Sequence, residues 1–264
     1  MTERALERFV RLGYATKGIL YGLVGVLALQ AAFTHGGSTE DPQGVLARIG
    51  GLPFGRVLLA LVAAGLVGYS VWRFVQAALD PDQTRGDSGA KQAIRRVGFA
   101  LSGLLYGGLA FAAARGAWRG AMPGGGRSAP NTAATLLGLP LGRTVLLAAG
   151  LVLVAAGVVQ VVRGVKASFM RHLDPQARTA FTCWTGRVGL CARGLVFGLV
   201  GVFLTKAAWS RDAGEAGDSE AALDVLGQAS PWLFVAVAVG FVAFALYCFV
   251  QARHRRLGVL NGHG

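Results

Sequence analysis

The chain has 264 residues, 53% hydrophobic and 15% charged, with 26 Lys and Arg against 13 Asp and Glu for a net charge of +13. A balance this basic invites nucleic acid as a partner, but the charges sit in short clusters between apolar runs too long for a soluble core, so no nucleic acid is expected. A β-barrel is excluded because its short alternating segments are missing.

Six stretches carry about 20 mostly apolar residues each, the length that crosses a bilayer as a helix. In chain order they are residues 12–33, 57–79, 97–118, 144–162, 188–209 and 232–250. Lipid offers the backbone no hydrogen-bond partner, so each run must be helical. The first run follows Arg4, Arg8 and Arg11, as a signal peptide would. It is too long for a signal core and it recurs twice, so it is read as retained.

The first span opens with RLGYATKGILYG at residues 11–22, the third with RVGFALSGLLYG at 96–107, the fifth with RVGLCARGLVFG at 187–198. Each copy closes on an aromatic residue, Phe33, Trp118 or Trp209, 22 residues after its arginine. The returning spans recur more weakly. Leu52-Pro53-Phe54-Gly55-Arg56 matches Leu139-Pro140-Leu141-Gly142-Arg143, while the third copy has Ser230-Pro231-Trp232. Arg73, Gln160 and Gln251 fall in register, as do Gln76, Arg163 and His254. These matches predict one all-α integral membrane domain over 1–264, with six transmembrane helices as three tandem two-helix repeats at 11–80, 96–170 and 187–256. An even number of spans per unit predicts a pseudo-threefold arrangement about the membrane normal.

On a helix, Arg11, Gly18, Gly22 and Gly25 share one face, and so do Arg96, Gly103, Gly107 and Ala110, and Arg187, Gly194, Gly198 and Gly201. Glycine lowers helix propensity, but small residues let membrane helices approach closely, so this stripe predicts helix packing. A permeation path or ligand groove along it is the competing use. Arg11, Arg96 and Arg187 are expected to anchor the interface. Lys17, Ser102 and Arg193 share a repeat position about one and a half turns further in, and the two basic stems are expected to snorkel back to that interface. Arg73, Gln160 and Gln251 form a candidate polar site. The plainer reading of Arg73 is snorkelling or a bond to a neighbouring helix; the sharper one is contact with an anion or lipid phosphate.

The connections after spans one, three and five each predict a short amphipathic helix at the membrane interface. One is capped by Asp41-Pro42 and carries Val45, Leu46 and Ile49. One is capped by Asn131, over 133–137. One opens at Ser219-Glu220 and carries Leu223 and Leu226. Those connections, with the ends of the spans that lead into them (Arg115 and Lys206), hold only eight of the 26 Lys and Arg, which predicts cytoplasmic termini.

No Asp or Glu lies inside any span, which argues against ion-coupled transport. His35, His172, His254 and His263 lack metal-ligand spacing. Cys183, Cys191 and Cys248 form no CxxC, and no disulfide is expected. Pro123-Gly124-Gly125-Gly126-Arg127 reads as a turn, since it follows no strand and lacks the phosphate-loop ending. No catalytic residue, metal or cofactor is predicted, and the chain is read as no enzyme.

The triple first-helix unit, the L-P-x-G-R opening of the second helix and the repeat length resemble the domain of unknown function 1206 family, bacterial membrane proteins of three two-helix repeats. The resemblance covers nearly the whole chain and implies the fold and a bacterial inner-membrane location, with no catalytic residues to carry over. The expected role is a non-enzymatic inner-membrane protein that packs with membrane lipids, anionic on the cytoplasmic side, or with a membrane-protein partner. The rival is a passive channel or carrier for a small solute or ion along the pseudo-threefold axis.

Overall fold

The computed structural model describes residues 3–33, 42–79, 89–119 and 128–254. They form nine α-helices: α1 (Glu3–Phe33), α2 (Pro42–Gly50), α3 (Gly55–Leu79), α4 (Gly89–Arg119), α5 (Ser128–Leu137), α6 (Gly142–Val165), α7 (Ala180–Ser210), α8 (Ser219–Ala229) and α9 (Pro231–His254). Six of them, α1, α3, α4, α6, α7 and α9, are long and apolar enough to cross a membrane. At 1.5 Å per residue the shortest reach about 36 Å, against a hydrocarbon core of about 30 Å. The first helix of each repeat has 31 residues and starts well before its motif arginine. Arg11, Arg96 and Arg187 therefore sit within helices rather than at their starts.

The three short helices α2, α5 and α8 fill the connections where amphipathic helices are predicted. Of these, α2 and α8 also pack against the long helices. Val45, Leu46 and Ile49 of α2 and Leu223 and Leu226 of α8 are buried in the main core. Asp218 caps α8 by accepting from the Glu220 and Ala221 amides. α5 starts at Ser128, so Asn131 lies inside it instead of capping it; its carbonyl accepts from Thr135 Oγ1 at 2.9 Å. The Asp41 cap and the Pro123–Arg127 turn fall outside the described residues.

The shared L-P-x-G-R stretch is a backbone device. Phe54 and Leu141 both hold left-handed φ angles, 62° and 67°, which residues with a Cβ rarely adopt. The next residue must be glycine, because a Cβ on Gly55 or Gly142 would strike the carbonyl of Gly50 or Leu136 in the preceding helix. In the third repeat the residue in register, Trp232, has no left-handed φ and already lies within α9.

The six long helices meet in two kinds of seam. Between repeats, α3 packs on α4, α6 on α7 and α9 on α1, and these are the tightest pairs. Within repeats, α1 packs on α3 and α7 on α9, but α4 and α6 scarcely touch. The ring is therefore open in the second repeat, and a strict threefold relation is broken there.

Candidate functional site: a buried cluster of cations and tyrosines

The glycine stripes lie on the between-repeat seams. A Cβ on Gly18 would stand 3.1 Å from the Phe249 ring, one on Gly25 2.8 Å from Val242, and one on Gly103 3.1 Å from the Phe74 ring. The α6–α7 seam is closer: a Cβ on Gly194 would lie 2.7 Å from the Gly157 carbonyl oxygen and one on Gly201 2.6 Å from the Val154 amide. Gly22 and Gly107 are looser, at 3.4 Å from Ala245 and 3.2 Å from Ser70 Oγ. Gly198 has open space on its own Cβ side, although its amide would lie 2.8 Å from a Cβ on Gly157. Ser70 Oγ also donates to the Gly103 carbonyl at 2.7 Å, the sort of bond that holds membrane helices together.

The three anchor arginines differ. Arg11 is exposed. Arg96 donates to the carbonyls of Ala77 and Ala78 at the end of α3. Arg187 is half-buried beside an apolar groove of about 480 Å³ lined by Val188, Cys191 and Leu195 of α7 and Ala236 and Val237 of α9.

Lys17 and Arg193 do not snorkel. They are 3% and 9% exposed, and both turn inward to the centre of the ring. Lys17 Nζ donates to Tyr69 Oη at 2.9 Å and faces the rings of Tyr69, Tyr106 and Phe244 at 4.8, 5.2 and 5.1 Å. Arg193 donates through Nε to Tyr21 Oη at 2.9 Å, through Nη1 to Gln160 Oε1 at 2.7 Å and through Nη2 to Tyr106 Oη at 3.4 Å. Its guanidinium lies 4.3 Å from the Phe197 ring centre and 5.1 Å from that of Phe244. Arg73 completes the cluster, donating through Nε and Nη2 to the same Tyr69 Oη at 2.9 and 2.6 Å and through Nη1 to Gln76 Oε1 at 3.1 Å.

The candidate polar trio is thus only partly assembled. Arg73 and Gln160 both join the cluster, through Tyr69 and Arg193 respectively. Gln251 is buried but shares no hydrogen bond with either.

Every neighbour named for these three cations is neutral: a phenol, an amide or an aromatic face. No span contains an Asp or Glu. Lys17 and Arg193 both face Phe244, so they lie within about 10 Å of one another, where two positive charges repel by roughly 2 kcal/mol at an effective dielectric near 20. Cation–π contacts return about 0.5–2 kcal/mol each, while insertion scales set the cost of one cation at mid-membrane at about 2.5–3.5 kcal/mol. The cluster lies some six residues, or about 9 Å, inside the level of Arg11 and Arg187. Among the described residues it is a concentration of positive charge with no carboxylate partner.

The signal missed in the sequence is the pairing of two repeat positions. Tyr21, Tyr106 and Phe197 stand four residues after Lys17, Ser102 and Arg193, on the same helix face. A basic residue and an aromatic one turn apart read as an inward-facing cation–π unit as well as they read as a snorkelling anchor.

The second repeat lacks the bulk that closes the others. Where repeat one has Lys17 and repeat three Arg193, it has Ser102. Counting back from the aligned Arg73, Gln160 and Gln251, the residues one turn earlier are Tyr69, Ala156 and Tyr247. The motif glycine shows the consequence. A Cβ on Gly13 would stand 2.7 Å from Tyr69 of α3, and one on Gly189 2.5 Å from Phe244 of α9; Gly98 has nothing within 4 Å.

The family model described as Domain of Unknown Function (DUF1206) matches three times, over residues 12–80, 97–167 and 188–255. The chain is also similar to the uncharacterized protein YxxB of Bacillus subtilis (strain 168), at 30% identity over 263 residues, which is 97% of this chain and 94% of that relative. No solved structure matches. The chain belongs to the domain of unknown function 1206 family.

Proposed function

We propose that this family member is a non-enzymatic, multi-pass protein of the bacterial inner membrane, with both termini cytoplasmic, that binds an anionic group at the buried cluster. The observation that carries this reading is the placing of Lys17, Arg73 and Arg193 among neutral partners in spans without an acid. A phosphate or carboxylate oxygen set among them would accept charge-assisted hydrogen bonds and relieve their mutual repulsion. Tyrosine hydroxyls already crosslink the surrounding helices, so the donors are held in place rather than assembled on binding. The basic cytoplasmic rim adds attraction for anionic lipid of roughly 1 kcal/mol per Lys or Arg near the surface.

A passive path along the pseudo-threefold axis is less well supported. The centre is occupied by side chains: Tyr21 Oη is 3.5 Å from Tyr106 Oη, and the Tyr69 and Tyr106 rings stack edge to face at 4.6 Å. Binding of a resident anion fits that filling better than flow.

The test is thermal melting of the purified protein in a neutral detergent with added phosphate, carboxylate or anionic lipid. At least one of these should stabilise the wild type and fail to stabilise Arg193→Gln. If none of them shifts the wild type, the anion-binding reading is wrong.

A further inference from the structure

The opening between α4 and α6 lies directly outside Arg193. That guanidinium bridges Tyr106 on α4 and Gln160 on α6, two helices that scarcely touch each other. It therefore stands at the inner end of the gap, with Lys17 facing the same Phe244 ring. The walls are small or polar near the cluster: Gly98 and Ser102 on α4, and Ala156, Gln160 and Arg163 on α6, the last three within about 60° of one another around the helix. Further out the walls are apolar, with Leu105 of α4 and Val152 and Val159 of α6 exposed. The gap thus runs from an apolar exterior to a buried cation.

We propose that this gap is a lateral port through which the anionic headgroup of a bilayer lipid reaches Arg193 and Lys17 while its acyl chains stay between α4 and α6. The proposal rests on the anion-binding reading and adds the source of the ligand. Three observations favour a lipid over an anion from water. The opening faces sideways, along the length of two membrane-spanning helices. Its outer walls are aliphatic, suited to chains. The charge at its inner end is complementary to a phosphate and is offset by no carboxylate in the spans. The other two repeats carry a bulky pair where this one has Ser102 and Ala156, and there the two helices of the hairpin pack on each other, α1 on α3 and α7 on α9.

The experiment is native mass spectrometry and thermal melting of the full chain in neutral detergent, titrated with phosphatidylglycerol, phosphatidylcholine and inorganic phosphate. Phosphatidylglycerol should occupy one site about tenfold or more tighter than phosphatidylcholine, as expected when more than one basic side chain meets the headgroup. Ala156→Phe, which restores the bulk of the other repeats, should cut phosphatidylglycerol affinity by about tenfold or more without lowering the melting temperature of the lipid-free protein. Gly98→Phe tests the same point from the α4 side, where there is open space for a side chain, and decides the matter if Ala156→Phe fails to fold. Wild-type affinity in the filled variants overturns the port. So does stabilisation by inorganic phosphate that is equal in the wild type and the filled variants, since the anion then comes from water; the anion-binding reading survives that result. If neither the lipid nor phosphate binds the wild type, that reading falls too.

Discussion

The three motif glycines, Gly13, Gly98 and Gly189, occupy one position of one repeat, and alanine at each should have a different effect. At Gly13 the new Cβ would stand 2.7 Å from Tyr69 backbone and side-chain atoms, and at Gly189 2.5 Å from Phe244 Cα, where ordinary contact begins at 3.4 Å. Both obstacles are the stems of neighbouring helices, not flexible side-chain ends, so α1 and α3, or α7 and α9, must separate by several tenths of an ångström. Overpacking of this kind costs about 1–3 kcal/mol. Against it, replacing glycine by alanine in a helix gains up to about 1 kcal/mol. At Gly98 only the gain operates, because nothing lies within 4 Å. The separation between Gly98→Ala and either of the others should be about 1–3 kcal/mol, and at roughly 2–4 °C per kcal/mol for a chain of this size it should be readable in a detergent melt. Gly98→Ala should melt at or above the wild type, and the other two below it. Three equal shifts would show that the second hairpin is closed like the others, and both the broken ring and the port would go with it.

Gly194→Leu should cost more than Leu195→Ala, by about 2 kcal/mol, since the first pushes α7 off the Gly157 carbonyl while the second removes a part-exposed side chain that lipid can replace; equal melting shifts would refute this account of the α6–α7 seam. Lys17→Met should raise the melting temperature of the ligand-free protein by a few degrees, because removing a buried charge near another of like sign is often neutral or stabilising, and Arg73 keeps Tyr69 Oη paired at 2.6 Å; the same variant should lose stabilisation by anions, and retention of that effect would take Lys17 out of the site. Reporter fusions at Gly125 and Asp87 should read external and cytoplasmic respectively, and the reverse pattern would overturn the orientation drawn from the basic residues.

The six spans and the three repeats are legible because lipid leaves little choice: a long apolar run must be a helix, and a twelve-residue motif repeated at matching distance from a closing aromatic has one economical cause. The short helices in the connections are legible for the same reason, through their Val and Leu spacing. Their depth of burial is not, since it depends on what the long helices leave uncovered between them. Nor is the α5 start at Ser128, because a cap at Asn131 fits the residue preferences as well. Lys17 and Arg193 mark the limit most clearly. Their spacing from Arg11 and Arg187 gives depth along the helix, but a long basic stem at that depth can reach the interface or the centre. The choice falls to Tyr69, Gln160 and Tyr106, on helices far away in sequence.

Repetition explains why one opening exists, and why it lies where it does. Three copies with identical bulk at the inner positions would either close every hairpin or none. Lys17 with Tyr69, and Arg193 with Tyr247, are the large residues at these positions in the first and third copies; Ser102 and Ala156 stand there in the second. The second copy still supplies Tyr106 and Gln160, which hold the Arg193 guanidinium at 3.4 and 2.7 Å, so it keeps the side chains that face the cluster and gives up those that would block the approach to it. Small groups at the two inner positions beside the bridging Tyr106 and Gln160 are what a site reached through the second hairpin requires.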